Sequence, residues 1–269
     1  MEERNEVNVI IMKETIIKTI KDVEAKNVVF IEGLPGIGLI GKLAAEHLIQ
    51  EIDAEKIAEI YSPHFPHQAL IKEDASVRMM KNKLYYGKKN DMDFIILVGD
   101  TQPSPSNSFG HYEIVTKILD YIKKFDVSLM FTLGGYSTGG EVVEHPRVLG
   151  AVTHPELVED YKETNITFRD DSGAAIVGAS GLLLAMGRQD GIKGMCLLGE
   201  SPGYMYIDAK AAKSVLEVLS QILDLEIDMT ALEERAEETE SLIHKIQEMQ
   251  RKSMAQNMPE MNKDLGYIR

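Results

Sequence analysis

The sequence predicts an α/β fold, doubly wound around a mostly parallel sheet, and three observations predict it. Short apolar, β-branched runs such as "VVFIE" and "FIILVGD" are hydrophobic at nearly every position, as strands buried on both faces are. These runs alternate with amphipathic helical patterns, which makes βα repeats. Each strong run also ends in a similar turn: "IEGLPG", "LVGDTQPSPS", "TLGGYSTGG" and "LLGESPGY". In open α/β sheets those carboxyl ends line the ligand crevice.

Taken in order, strands are expected at 28–32, 94–100, 128–135 and 194–200, and helices at 38–50, 110–124, 174–187 and 209–223. Residues 57–88 read as several short strands at a sheet edge, antiparallel in character, and "VLGAVTH" (148–154) as one more. This core is assigned to residues 1–225. From Thr230, a plausible N-cap, Leu232, Ala236, Ile243, Ile246 and Met249 recur at helical steps, giving an amphipathic helix within 226–253. Such a stripe packs back on its domain or pairs with another copy, and the sequence leaves both open. Residues 254–269 have no stable periodicity and are expected to be mobile.

The stretch 33–42 resembles two phosphate motifs. Gly36, Gly38 and Gly41 satisfy G-x-G-x-x-G after a strand and before a helix, with Glu59 placed as a ribose-binding carboxylate. Gly36, Gly41 and Lys42 also make most of a P-loop, but Leu43 stands where a Mg²⁺-binding hydroxyl belongs. The bland alternative is that Gly33 and its neighbours supply a tight turn and close helix–sheet packing. Glu32, Asp100 and Glu200, with Ser137, Thr138 and Ser201, would gather on the same rim, either as an active site or as helix caps.

Composition narrows the function. A net charge of −14 argues against nucleic acid and anionic membranes, which need clustered Lys and Arg. Cys196 is the only cysteine, in an apolar run, so neither an intrachain disulfide nor a cysteine-rich zinc site is expected. With no run near 18 apolar residues and a charged "MEERNEVNVI" start, a cytoplasmic protein is expected. No Gly-x-Ser-x-Gly elbow occurs. His64 and His67 offer a loop metal pair, but Pro66 opposes the helix that would align them, and no metal or cofactor is expected. His111 reads as a surface or capping residue.

The motifs "EGLPGIGLIGKLAAEHLI", "PHFPHQALI", "VGDTQP", "LGGYSTGG", "GASGLLLAMG" and "LLGESPGY", spread over residues 28–206, together resemble the archaeal branch of the proteasome assembly chaperone family. The resemblance implies an α/β sandwich related in shape to nucleoside phosphorylases and peptide hydrolases, without their catalytic residues. It implies homo-oligomers, or mixed oligomers with a paralogous chaperone, that bind proteasome α-subunits. The family often docks through a C-terminal hydrophobic–tyrosine–any motif. This chain places Tyr267 third from last, between Leu265 and Gly266 on one side and Ile268 and Arg269 on the other. The expected function is therefore an ATP-independent assembly chaperone or adaptor that is not an enzyme. The alternatives are a nucleotide-binding or hydrolytic enzyme using the glycine-rich rim, and a structural scaffold built by the helix at 230–252.

Overall fold

A computed structural model of the chain describes residues 12–140, 143–168 and 175–238. In chain order its strands and helices are β1 (Ile16–Thr19), β2 (Val28–Gly33), α1 (Ile40–Glu51), β3 (Glu55–Tyr61), β4 (Ala69–Ile71), β5 (Val77–Met79), β6 (Asn82–Lys89), β7 (Met92–Gly99) and α2 (Ser108–Ile122). There follow β8 (Val127–Ser137), β9 (Val148–Val152), α3 (Glu156–Asp160), β10 (Ile166–Phe168), α4 (Ala179–Gln189), β11 (Gly194–Ser201) and α5 (Ala209–Leu223). Nine strands form one sheet in the order β1-β3-β6-β7-β2-β8-β11-β9-β10, while β4 and β5 pair separately.

The sheet is mixed, which corrects the expectation of a mostly parallel one. The central strands β7, β2, β8 and β11 run parallel, and β10 runs parallel to β9. The remaining pairings are antiparallel: β1 with β3, β3 with β6, β6 with β7, and β11 with β9. The physical reason is the connection length. Strands β6 and β7 are joined by the two residues Asn90 and Asp91, both at positive φ, and so short a link permits only a hairpin.

The alternation along β2 separates two cores. Val29 and Ile31 face α1 and α5, with Phe131, Leu197 and Leu216. Phe30 faces the opposite layer, α2 and α4, with Ile95, Leu97, Ile118 and Leu183. The chain is thus wound on both faces of the sheet. Among the described residues no helix is long and apolar enough to cross a membrane.

Element by element, α5 matches its expected bounds, whereas α4 starts at Ala179 rather than 174. Gly178 has φ 94 and holds the chain out of helical conformation just before it. Asn107 starts α2 early by accepting the Gly110 N–H with its side chain. Residues 230–238 are helical, but the free N–H of Thr230 goes to the Asp228 carboxylate, so Asp228 rather than Thr230 does the capping. Leu232 is buried in the α1–α5 core beside Leu223 and Leu225, and Glu233 pairs with Lys213 of α5 at 2.8 Å. Ala236 is half-buried. Ile243, Ile246 and Met249 lie outside the described residues, as do Leu265, Tyr267, Ile268 and Arg269.

Candidate functional site

The glycine-rich turn after β2 is a packing device. A Cβ on Gly33 would stand 2.3 Å from the Gly41 carbonyl oxygen, and one on Gly41 would stand 2.0 Å from that of Leu133 in β8. Both glycines therefore bring α1 against the sheet more closely than any side chain allows. Gly38, at φ 57, accepts the Asp208 N–H at 2.8 Å and locks the turn to the start of α5. Gly36 alone faces open space. Lys42 does not point at a phosphate position: its Nζ donates to the Gly99 carbonyl at 2.8 Å and pairs with Glu46 at 3.1 Å.

The rim carboxylates lie at one end of the sheet, but each turns to its own partner. Asp100 takes two hydrogen bonds from the Arg78 guanidinium, at 2.5 and 3.0 Å, and one from the Lys81 N–H at 2.9 Å. Burial pushes its pKa up, and these donors outweigh burial and hold it below the ordinary value. Glu200, nearly buried, is gripped by Nε and Nη2 of Arg147. Glu32 is fully buried, with Oε1 accepting the Leu34 N–H at 2.9 Å and Oε2 accepting the Ser180 hydroxyl at 2.8 Å. Burial outweighs both bonds and pushes its carboxyl up to about 7.

Glu59 sits on β3, three strands from β2, beyond the reach of a ribose on the glycine turn. Burial opposes its ionisation, but hydrogen bonds from Lys56, Lys81 and Tyr61 win and hold its pKa at about 2. The hydroxyls fold onto local backbone: the Thr138 Oγ1 donates to the Ser201 carbonyl, and the Ser137 Oγ accepts the Gly139 N–H. None of the six rim residues caps a described helix; the side-chain caps are Asn107 and Asp208, whose carboxylate accepts the Ala211 N–H.

The histidines and the cysteine are likewise committed. His64 Nε2 meets Glu113 at 2.7 Å and its Nδ1 meets Asn107 Nδ2 at 3.2 Å, so neither ring nitrogen faces His67 or a shared metal position. Among the described residues no group of three or more His, Cys, Asp or Glu side chains is placed to hold a metal ion. Cys196 is buried, and that burial pushes its thiol up to about 12, leaving it in the small apolar role expected.

Sequence reasoning missed a cleft at this end. A cleft of about 470 Å³ lies between the starts of α2 and α4, lined among others by Pro35, Pro103, His111, Tyr112, Val177 and Leu182. Gln102 braces it, donating from Nε2 to the Pro35 carbonyl and accepting the Ala179 N–H on Oε1, both at 2.9 Å. Around it stand exposed apolar side chains: Phe109, Tyr112 and Val177 at the cleft, Ile37, Tyr204 and Tyr206 toward α5. The β4–β5 hairpin adds Ile71, Val77 and Met79, all on its outward face. The sequence signal available was charge: the segments 33–41, 101–112, 132–140 and 201–207 contain no Asp, Glu, Lys or Arg. This end of the molecule has the chemistry of a contact surface. Among the described residues its acids and hydroxyls bond to local backbone or to single side-chain partners.

The chain is similar to known proteins over most of its length. The profile of the PAC2 family matches residues 30–247. The protein MJ1210 of Methanocaldococcus jannaschii is 40% identical over 261 residues, covering 96% of this chain and 98% of its own. The crystal structure of Pyrococcus furiosus PbaB, described as an archaeal proteasome activator, superposes with a TM-score of 0.84 at 52% identity, covering 88% of this chain and all of its own. That of Pyrococcus furiosus PbaA, described as an archaeal homolog of proteasome-assembly chaperone, gives 0.72 at 28% identity, covering 91% and 96%.

Proposed function

The chain belongs to the PAC2 family, and from that premise we propose that it is a proteasome-directed assembly chaperone or activator that works without nucleotide and is not an enzyme. The observation carrying this reading is the likeness to PbaB, at 52% identity over 88% of the chain. The residues of the rival reading support it from the other side. Lys42, Asp100 and Glu200 each hold a protein partner, and Gly33 and Gly41 are filled by helix–sheet packing. The kinship in shape with phosphorylases and peptide hydrolases belongs to the same reading, as a frame without their catalysis.

In this proposal the chain acts as a homo-oligomer in the cytoplasm, and its C-terminal residues Leu265, Tyr267, Ile268 and Arg269 insert into proteasome α-subunits. Tyr267 is the anchor, a large ring with few rotatable bonds. The test is a binding titration of intact and trimmed chain against purified archaeal α-rings. Deleting 264–269, or Tyr267→Ala, should weaken binding about thirtyfold, roughly 2 kcal/mol, as loss of a hot-spot residue does. Equal affinity of both forms would remove the tail, and no binding by either would remove the proteasome. Calorimetry with ATP should stay flat to about 100 µM, a bound of roughly −5.5 kcal/mol. A micromolar ATP signal lost in Gly38→Val would restore the enzyme.

A further inference from the structure

We propose that the face which β1, β3 and β6 present on the α1 side of the sheet is a basic docking surface for a short acidic segment of a partner protein. It is a contact separate from the C-terminal residues of the function proposed above, and it does not rest on them.

The strand register sets this face. Lys18, Glu59 and Lys83 are cross-strand neighbours on β1, β3 and β6, and Lys56 stands opposite Tyr85 in the same ladder. Residues paired in this way project to one side of a sheet. Lys83 and Tyr85 in turn stand opposite Val98 and Ile96, so the side is the one that α1 and α5 cover farther along. Those helices pack on β2, β7, β8, β9 and β11. Beyond them the face opens to solvent, with Ile16 42% exposed and Lys18 exposed beside it. Lys81 joins from the start of β6, its Nζ donating to Glu59 at 2.6 Å and lying over the Tyr61 ring. Arg78 reaches the margin through its bonds to Asp100. The sequence carries the same signal: residues 77–89, "VRMMKNKLYYGKK", hold five Lys or Arg and no Asp or Glu.

Charge identifies the occupant. In a chain of net charge −14, the five cations Lys18, Lys56, Arg78, Lys81 and Lys83 gather around two carboxylates. Glu59 is bound by both Lys56 and Lys81, and Asp100 by Arg78, while Glu46 at the α1 margin is paired with Lys42. Among the described residues neither Lys18 nor Lys83 has a carboxylate within ion-pair distance. Lys83 is the telling one, because it is half-buried. Burial lowers its pKa, Asp100 opposes that, and the charges of Arg78, Lys81 and Lys56 lower it further. An anion arriving over Lys83 relieves this repulsion and supplies the missing partner. The extent of the face limits what that anion belongs to. Three strands of four to eight residues span about 10 Å by 25 Å, room for an extended segment of about six to eight residues. A nucleic acid or an anionic membrane continues past that area onto the acidic remainder of the surface, where it is repelled. A short run of Asp or Glu fits within it, and opposite charge steers it there.

The experiment titrates the full-length chain into a fluorescein-labelled peptide of four Glu-Ser repeats and follows its anisotropy. Wild type should bind this peptide and not the matching Gln-Ser peptide, and affinity should fall at least tenfold between about 50 and 300 mM NaCl. Lys18→Gln/Lys83→Met should weaken binding at least tenfold, and Lys83→Arg by less than threefold. Lys162→Gln, at an exposed lysine on another part of the surface, should leave it unchanged. Lys83→Met keeps the apolar stem and removes a charge that burial disfavours, so it should melt no lower than wild type. A lower melting temperature would assign Lys83 to the fold and overturn the proposal. No binding of the acidic peptide by wild type overturns it too, as does equal affinity of the double variant. Tighter binding to single-stranded DNA or to anionic vesicles, lost in the same double variant, would overturn the choice of partner. The chain lacking 264–269 should bind the acidic peptide as wild type does, so this proposal and the docking tail fail separately.

Discussion

The two ends of the sheet solve the same backbone problem with different residues. At the end where the parallel strands begin, the left-handed positions are held by Asn27, Asp53, Asn90, Asp91, Asp126 and Asp224, with Gly191 the single glycine. At the end where they finish, five of the positions are held by Gly38, Gly139, Gly140, Gly178 and Gly203, and the others by the apolar Leu39 and Ala75. Asn and Asp tolerate positive φ because their short side chains bond locally, and they leave polar groups in water. Glycine reaches the same conformation and adds nothing to the surface. The first end also carries the exposed ion pairs Lys21–Glu55, Lys123–Asp190 and Lys193–Glu156. One end keeps polar groups in water at these positions, and the other exposes more bare backbone and apolar rings.

The largest expected effect tests whether the glycines of the second end serve packing. Gly41→Ala gains about 1 kcal/mol of helix propensity but forces its methyl to 2.0 Å from the Leu133 carbonyl. The overpacking cost, about 3 kcal/mol or more, wins. Gly36→Ala meets nothing within 4 Å and should change stability by less than about 0.5 kcal/mol. Urea unfolding of the two variants separates the cases. A stable Gly41→Ala would break the packing account and return the turn to a ligand.

A smaller effect concerns how the second end hides an acid. The Glu32 carboxyl rises from 4.5 to about 7 on folding because burial penalises its charge. Below pH 4.5 it is neutral in both states. As pH climbs toward 7 the unfolded chain releases the proton while the fold retains it, so stability falls, by about 3 kcal/mol once both states are ionised. Glu32→Gln keeps an acceptor for Leu34 and a donor for Ser180 and removes the titration. It should be close to neutral at pH 4 and stabilising by about 3 kcal/mol at pH 8. A difference that does not vary with pH would show that Glu32 stays ionised in the fold.

Much of this architecture was legible in the sequence, and what was not has physical causes. The buried strands and α5 announce themselves because continuous or 3.6-periodic hydrophobicity is read directly. The short strands β1 and β10, of four and three residues, are half-exposed at the sheet edges and carry no such pattern. The rim carboxylates were placed at the correct end, since topology puts strand termini together. Their partners were not, because Arg78 and Arg147 lie 22 and 53 residues from the acids they bind. Glycine spacing left both readings of the turn open, because a turn that packs tightly and a turn that cradles phosphate need the same residue. Only the distances to Leu133 and Gly41 tell them apart. The apolar surface was visible as an absence of charge, which periodicity does not score.

The smallest effect is the sharpest test of the first end. Asp224 caps α5 in the left-handed conformation, φ 51, and the following Leu225 N–H closes onto the Ser220 carbonyl. Its own carbonyl accepts the Asn90 side chain at 3.0 Å, a backbone contact that any residue keeps. Glycine takes this conformation without strain, so Asp224→Gly gives up little geometry. It also removes a carboxylate from a helix C-terminus, where the helix dipole disfavours negative charge by about 0.3–1 kcal/mol. Against that stands the extra entropy of glycine in the unfolded chain, about 0.4–1 kcal/mol. The two nearly cancel, and unfolding should shift by no more than about 0.5 kcal/mol at low salt. Because only the dipole part is screened, added salt should move the balance toward Asp. A loss above 1 kcal/mol would mean that the Asp224 side chain, and not merely a tolerance for positive φ, is what the first end requires.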